Sequence, residues 1–230
     1  MTATRVNLTK EEIEVLRNVA SINNSLKFVA GNEIKTMSPD QAILMEAVID
    51  SSFPQEFSIY ELSKFLNVLT LPTLKDAALV FDDDKKVTID GGSSRVQYYF
   101  TDQSFTTHPN KTLKLPSVDL AVTITGEALD GFEKAASALG HKILAFRVDA
   151  GKASLVATTP EIDTSNDYVV DLGDAVDGDG AIAADGYYKL KVENLKILPG
   201  DYRFEVCVQG IMKLSHTTRK ITYYLGLERA

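Results

Sequence analysis

Several kinds of residue are scarce in this chain, and each scarcity excludes a class of protein. The single cysteine, Cys207, cannot form an intrachain disulfide, so the sequence predicts a reducing, cytoplasmic environment. One cysteine and three scattered histidines do not supply the closely spaced ligands of a structural zinc site. No run of about 18 apolar residues occurs, which excludes a predicted membrane-spanning helix. The residues Met1 to Asn7 also lack the apolar stretch of a signal peptide.

Motifs of common enzyme and cofactor sites are missing as well. The sequence has no P-loop and no Gly-x-Ser-x-Gly nucleophile elbow. The segment Gly178-Asp179-Gly180 fits neither the dinucleotide fingerprint nor the spacing of a calcium loop. We therefore expect no catalytic residues, no metal site and no cofactor.

Positive charge is also in short supply. Lysine and arginine number 24 against 32 aspartates and glutamates, which gives a net charge of −8. Taken alone, this balance argues against a nucleic-acid-binding protein, since such proteins usually carry a basic surface. Hydrophobic residues make up 44% of the 230 positions, enough for one large core or for two domains.

The two halves of the chain repeat each other. The segment Leu8–Ile13 recurs as Ile124–Leu129, and the similarity continues at the same offset through two amphipathic helices. Thr9 and Thr125 are suitable N-caps for these helices. Thr9 and Glu12 also fit a capping box, which the second copy lacks.

The elements after each helix follow a common order. We predict hairpins over 26–49, with a turn near Gly31-Asn32, and over 143–159, with a turn near Ala150-Gly151. A second short helix begins near Ser58 in the first half and near Lys191 in the second. Strands then close each half, the last one carrying alternating Tyr202, Phe204, Val206 and Val208. This order predicts an α+β protein with antiparallel sheets, a first domain at 1–106, a connector at 107–117 and a second domain at 118–230.

Specific segments resemble the DNA sliding clamps of tailed bacteriophages. The resemblance rests on the helix around Leu16–Asn23, on Phe57–Leu66 and on Leu198–Tyr202. The final segment, Lys220–Leu225, is similar to the end of the related eukaryotic clamp, proliferating cell nuclear antigen. The resemblance covers nearly the whole chain, and its specificity lies in the order and spacing of these segments.

The resemblance implies a non-enzymatic protein of the DNA clamp fold, in which two similar domains have antiparallel sheets outside and helices inside. Three copies would form a head-to-tail ring round duplex DNA, with edge strands paired between copies. Such a ring tethers the replicative DNA polymerase and gives it processivity. An ATP-dependent clamp loader would place it on DNA, in the host cytoplasm if the protein is viral.

A net negative charge is compatible with this function because the ring is held on DNA by topology. Weak, sequence-independent phosphate contacts are sufficient, and charges more than about 8–10 Å apart are largely screened at physiological salt. Cations on the presumed inner helices are therefore the candidates for the DNA face: Lys10, Arg17, Lys64, Lys134, Lys142, Lys191 and Lys196. The alternative is that these are ordinary solvated faces, since acidic residues such as Glu14, Glu127, Asp130 and Glu133 lie nearby.

The resemblance also implies an apolar pocket that accepts short peptides of the polymerase and the clamp loader. By that similarity its candidate residues are Met37, Leu44, Leu113, Leu115, Ile211, Met212, Tyr224 and Leu227. Methionine suits such a site because its flexible side chain adapts to several partners. The alternative is that these apolar residues belong to the core.

Two other functions remain open on the sequence alone. A structural or assembly protein, such as a virion component with duplicated β-rich domains, would share the acidity and the absence of catalytic motifs. It would not require cations on the presumed inner helices. An enzyme with an unrecognised acidic site is the third alternative.

Overall fold

The computed structural model describes residues 3–106, 109, 113–159 and 165–228. The chain folds as two compact units, a first unit formed by Met1–Pro39 with Leu44–Asn110 and a second formed by Asp40–Ile43 with Lys111–Ala230. Five positions of the predicted connector, 107–108 and 110–112, lie outside the described residues. The boundaries at 106 and 118 therefore stay a prediction.

The described residues of the first unit form eight strands and two α-helices. Its helices are α1 (Lys10–Ile22) and α2 (Leu62–Leu69), and short 3-10 turns occupy Pro72–Leu74 and Gln103–Phe105. Its strands are β1 (Thr4–Val6), β2 (Leu26–Phe28), β3 (Gly31–Met37), β4 (Ile43–Phe53), β5 (Phe57–Ile59), β6 (Ala78–Phe81), β7 (Lys86–Asp90) and β8 (Arg95–Tyr99).

In the second unit, the part that the structure describes forms eight strands and one α-helix. The helix is α3 (Gly126–Leu139), and a 3-10 turn occupies Val192–Asn194. The strands are β9 (Leu120–Ile124), β10 (Ile143–Asp149), β11 (Lys152–Thr158), β12 (Tyr168–Asp174), β13 (Gly186–Lys191), β14 (Tyr202–Cys207), β15 (Ile211–His216) and β16 (Ile221–Gly226).

The two units share one topology, which confirms the predicted repeat. Each has a strand, a helix, four strands, a helical segment and three strands, in that order. In the first unit β1 pairs with β6, followed by β7 and β8. In the second unit β9 pairs with β14, followed by β15 and β16, with the same antiparallel connections. The middle strands also correspond, since β2 pairs with β5 as β10 pairs with β13.

Both long helices begin at the predicted threonine caps. The hydroxyl of Thr9 accepts a hydrogen bond from the amide of Glu12 at 3.2 Å, and the hydroxyl of Thr125 accepts one from Ala128 at 3.2 Å. The predicted capping box is present, because the Glu12 carboxylate accepts the Thr9 amide at 2.7 Å. That buried carboxylate also accepts the Ser51 amide at 2.6 Å, which ties the start of α1 to β4.

The second helix predicted near Lys191 is wrong in length and in position. Lys191 is the last residue of β13 and pairs with Ile143 of β10, so the chain cannot turn helical before Val192. Pro199 then disfavours helical geometry at Leu198. Only one 3-10 turn, Val192–Asn194, fits between these two constraints.

The first predicted hairpin has its turn in the wrong place. Gly31 begins β3 with a left-handed φ of 109° instead of forming the turn. The strands that pair are β3 and β4, with Met37 opposite Leu44, so the connection lies at 38–42. The second hairpin is as predicted, since Asp149 lies opposite Lys152 across Ala150-Gly151. The closing strand β14 ends at Cys207, so Val208 lies beyond it and is exposed.

Aromatic side chains form much of each core. In the first unit the rings of Phe28 and Phe57 are stacked with centroids 4.4 Å apart, and Phe53 packs edge-on against both. In the second unit Phe146 and Phe204 lie 5.4 Å apart. These residues are buried almost completely, and such burial contributes about 2 kcal/mol for each large side chain.

His216, at the end of β15, holds the loop that follows this strand. The Nδ1 atom of His216 accepts hydrogen bonds from the amides of Thr218 and Arg219 at 3.2 and 3.3 Å. Its ring packs against Tyr202 with centroids 4.9 Å apart. Burial is the main reason that the pKa of His216 lies below its ordinary value of 6.5, and the charge of Arg219 lowers it further.

We expect this histidine to make folding stability depend on pH. Because the pKa is lower in the folded state, the unfolded chain binds the proton first as pH falls. The free energy of unfolding should therefore decrease from about pH 6.5 downward, until the folded state is also protonated. Urea unfolding of the wild type and of His216→Asn at several pH values would measure this. Equal pH slopes for the two proteins in that window would contradict the assignment.

Candidate functional site

All seven cations proposed from the sequence are exposed. In the first unit, Lys10 and Arg17 lie on α1 and Lys64 lies on α2. In the second unit, Lys134 lies on α3, and the other three lie at strand or turn ends: Lys142, Lys191 and Lys196. Because these side chains are exposed, a polyanion can reach all of them. The groups that surround each cation differ, however.

The exposed side of α1 in the first unit carries both charges. Lys10, Glu14 and Arg17 follow one another at helical spacing and are all exposed. The Arg17 guanidinium donates to Asn67 Oδ1 at 3.3 Å and to Thr70 Oγ1 at 3.1 Å. These acceptors lie at the end of α2, so the arginine bridges the two helices through neutral groups.

Lys64 has an acidic neighbour on its own helix. Its ammonium group lies 2.7 Å from a carboxylate oxygen of Glu61. The hydrogen bond and the charge of Glu61 raise the pKa of Lys64. This pair is exposed on both sides, so it contributes little to stability, yet it offsets the lysine charge locally.

The four lysines of the second unit line grooves beside α3. A groove between α3 and the 3-10 turn is lined by Lys134 and Lys196. An adjoining groove is lined by Lys142 and Lys191. Three acids share these walls: Asp130, Glu133 and Glu193. The surface is therefore mixed in charge.

Two of these lysines form ion pairs. Lys134 lies 2.6 Å from Asp130 one helical turn away, and Lys191 lies 3.8 Å from Glu228. Burial, and secondly the nearby Asp130 charge, raise the pKa of Glu133. Glu133 therefore takes up a proton at a higher pH than an ordinary glutamate, which reduces the negative charge of the groove as pH falls.

Part of the predicted apolar pocket is present in the second unit. Leu113, Leu115 and Tyr224 line a cleft of about 280 Å³ together with Val118. Sequence reasoning missed the polar wall, which consists of Lys114, Glu205 and Lys213. Glu205 and Lys213 lie opposite each other on β14 and β15, and their side chains are 2.8 Å apart. Opposite charges in cross-strand register were the signal available in the sequence.

The other pocket candidates lie elsewhere. Met212 has no exposed surface and packs in the core of the second unit. Ile211 and Leu227 are half-buried beside the β15–β16 pairing, where the Leu227 amide donates to Gly210 O at 2.9 Å. Met37 and Leu44 are cross-strand partners on β3 and β4. Whether these five contact a partner stays a prediction.

Two further features are absent from the described residues. No group of three or more histidine, cysteine, aspartate or glutamate side chains there is arranged to hold a metal ion. No helix of that part of the chain combines the length and apolar character needed to span a membrane.

Comparisons with known proteins find similarity to DNA sliding clamps. A family model described as DNA polymerase processivity factor matches residues 9–105. The chain is 27% identical over 224 residues to the sliding clamp of Vibrio phage KVP40, covering 96% of this chain and 98% of that protein. It is 26% identical over 206 residues to the sliding clamp of Enterobacteria phage T4, covering 88% of each.

Solved structures show the same fold at low identity. A proliferating cell nuclear antigen from Thermococcus kodakaraensis matches with a TM-score of 0.71 and 14% identity, over 99% of this chain and 100% of that one. The A. fulgidus homologue, bound to the C-terminal region of FEN-1, matches with a TM-score of 0.69 and 14% identity, over 98% of each chain. A Helicobacter pylori beta clamp bound to a DNA ligase peptide matches with a TM-score of 0.65 and 16% identity, over 97% of this chain and 66% of that one. The predicted α+β clamp fold is confirmed.

Proposed function

We propose that this chain encircles duplex DNA as a homotrimeric ring and gives the replicative polymerase processivity, because it is similar to the sliding clamps of bacteriophages over most of its length. The observation that carries the proposal is the pair of topologically matching units combined with similarity to a phage clamp over 96% of the chain. An ATP-dependent loader opens and closes the ring on DNA, and the chain itself catalyses no reaction. It acts in the host cytoplasm.

The DNA face consists of the exposed cations on the helical surface of each unit. Sliding requires contacts that hold phosphates weakly and ignore base sequence. Exposed lysines and one arginine, interspersed with acids such as Glu14 and Asp130, meet that requirement better than a uniformly basic groove. The seven candidate cations would each occur three times in a trimer: Lys10, Arg17, Lys64, Lys134, Lys142, Lys191 and Lys196.

Ring closure uses strand edges. Within the described residues, β8 pairs only with β7 in its sheet and β12 pairs only with β11. Both edges carry exposed large side chains, Tyr99 on β8 and Tyr168 and Val169 on β12. Exposed edges of this kind promote pairing with another chain, and a head-to-tail contact between unlike edges closes into a ring.

Partners dock at the cleft around Leu115. Two clamps of the same fold are seen with peptides, from FEN-1 in one case and from a DNA ligase in the other. An apolar cleft beside a lysine and an ion pair offers an anchor for one apolar side chain and a charged rim for specificity. The proposal keeps the predicted domains at 1–106 and 118–230. The connector between them, 107–117, carries Leu113 and Leu115 to the cleft.

We expect Leu115→Glu to weaken the binding of the cognate polymerase without affecting retention on DNA. The substitution places a charge in the apolar part of the cleft and should raise the Kd about tenfold, as the loss of an apolar anchor does. Fluorescence anisotropy with labelled peptides tiled across the polymerase would measure it. Val208→Glu, an equivalent change at an exposed residue outside the lining of the cleft, serves as the control, and equal affinities for both variants would contradict the assignment.

The function is tested by primer extension on a singly primed circular template. The cognate polymerase and loader are supplied with ATP, and a DNA trap prevents rebinding after dissociation. The proposal predicts much longer products when the chain is present, and only when the loader and ATP are also present. Products of unchanged length would overturn it and would favour a structural or assembly role.

A further inference from the structure

Arg17 differs from the other candidate cations in the way it is held. Its two terminal nitrogens each donate to a neutral acceptor on α2, Asn67 Oδ1 and Thr70 Oγ1. A guanidinium group has five N–H donors, so three remain, and none of them has an acceptor among the described residues. The group is therefore fixed in position while its charge is not offset by a carboxylate.

Other candidate lysines, in contrast, have their positive charge offset by a carboxylate. Lys64 is paired with Glu61, Lys134 with Asp130 and Lys191 with Glu228. A phosphate that approaches one of these lysines also approaches a carboxylate. Fewer counterions are then released from DNA per contact, and the electrostatic gain is smaller.

Lys10 and Lys142 have no carboxylate within ion-pair distance in the described part of the chain, but neither is held by a hydrogen bond. Their long side chains are free to rotate, so each loses conformational entropy when it is fixed on a phosphate. Arg17 has lost much of that freedom before DNA arrives. Its planar donor fork also matches two oxygens of one phosphate.

We propose that Arg17 is the principal phosphate-binding residue of the first unit and that Asn67 and Thr70 are its positioning residues. The proposal rests on the proposed function and deepens it. The partner group is the phosphodiester backbone of duplex DNA, contacted without regard to base sequence. Asn67 and Thr70 act through Arg17 and need not touch DNA.

The charge of Arg17 is tested with a matched pair of variants. Arg17→Gln and Lys152→Gln each remove one exposed positive charge, but Lys152 is paired with Asp174 and lies outside the proposed DNA face. Binding of the assembled protein to a short fluorescent duplex is measured by anisotropy at increasing salt. We expect Arg17→Gln to weaken binding about tenfold at low salt and to lower the slope of log K against log salt by about one for each contacting copy. Lys152→Gln should change the affinity by less than about twofold.

The positioning role is tested with the charge left in place. Asn67→Ala combined with Thr70→Val frees the guanidinium but keeps it positive, so the affinity should fall about threefold while the salt slope stays as in the wild type. Arg17→Lys should show the same pattern, with lower affinity and an unchanged slope. A purely structural role for Asn67 and Thr70 would instead lower the melting temperature and leave DNA affinity intact, which overturns the positioning claim.

The outcomes also separate this inference from the proposed function. Equal effects of Arg17→Gln and Lys152→Gln, or no salt-dependent binding by the wild type, overturn the assignment of Arg17. Neither result bears on processivity, which the primer-extension assay measures with the wild-type chain. Absence of processivity there overturns the proposed function even if Arg17 binds phosphate.

Discussion

Val169→Asp is expected to abolish most of the contribution of this chain to polymerase processivity while leaving each copy folded. Val169 lies on β12, at one end of the sheet formed by β10 to β13, and 44% of its surface is exposed. If that edge pairs with a neighbouring copy, the substitution buries a carboxylate in an apolar contact. Loss of an interface anchor of this kind weakens association about tenfold or more, and three such contacts must hold at once in a trimer.

The opposite edge of the same sheet provides the control. Tyr187 on β13 is also 44% exposed, but its strand already accepts the Glu228 amide at Lys189 O at 2.8 Å. Tyr187→Asp should therefore leave the oligomer and the length of the extension products unchanged. Light scattering gives the oligomeric state of both variants and circular dichroism their folding. Normal processivity of a folded Val169→Asp protein would show that β12 does not close the ring.

Gly200→Ala should cause the largest loss of folding stability among single methyl additions to this chain. Gly200 has a φ of 149°, a conformation that L side chains rarely adopt. An added Cβ would lie 2.3 Å from Nε2 of His216, and the ring cannot move away without giving up its hydrogen bonds to Thr218 and Arg219. Backbone strain and overpacking together should cost about 3 kcal/mol, measurable by urea unfolding.

A double-mutant cycle separates the two causes. His216→Ala removes the ring, so adding Gly200→Ala to that background should cost at least about 1 kcal/mol less than in the wild type. The cost that remains reports the backbone strain alone. Additive effects of the two substitutions would contradict the clash as the main cause.

The repeat and its helix starts could be predicted because local sequence determines them. Thr9 and Thr125 cap their helices through hydrogen bonds that span three residues, so no distant contact is needed to recognise them. The antiparallel fold followed from the order of elements. The hairpin across Ala150-Gly151 was also predictable from local sequence. Its two turn residues adopt left-handed φ angles of 48° and 76°, as the turns of two-residue hairpins require.

Other features depend on contacts between residues far apart in sequence. The helix expected at Lys191 is replaced by strand pairing with β10, from a segment nearly fifty positions away. Tertiary pairing of that kind overrides local propensity. The burial of Met212, expected at a pocket surface, likewise depends on how β14, β15 and β16 pack together.

The candidate site was predicted less completely than the fold. Residue type and helical spacing selected seven cations that are all exposed, although Lys191 and Lys196 do not lie on the α-helix predicted to carry them. They could not distinguish Arg17, held by the neutral Asn67 and Thr70, from Lys134, held by Asp130. In our proposal, the charge of the partner group determines how strongly each cation binds a phosphate. The neutral partners of Arg17 lie about fifty residues away from it in the sequence. The net charge of −8 carries no information on it.

The central claim is topological, and retention on circular DNA tests it most directly. The loader and ATP place the labelled chain on a nicked circular duplex, which is then passed through a gel-filtration column at a salt concentration that screens phosphate contacts. The account predicts that the chain stays with the circle, and that cutting the circle once with a restriction enzyme releases it. Release from the intact circle at that salt, or equal retention on cut and intact DNA, would contradict the claim that this protein encircles its substrate.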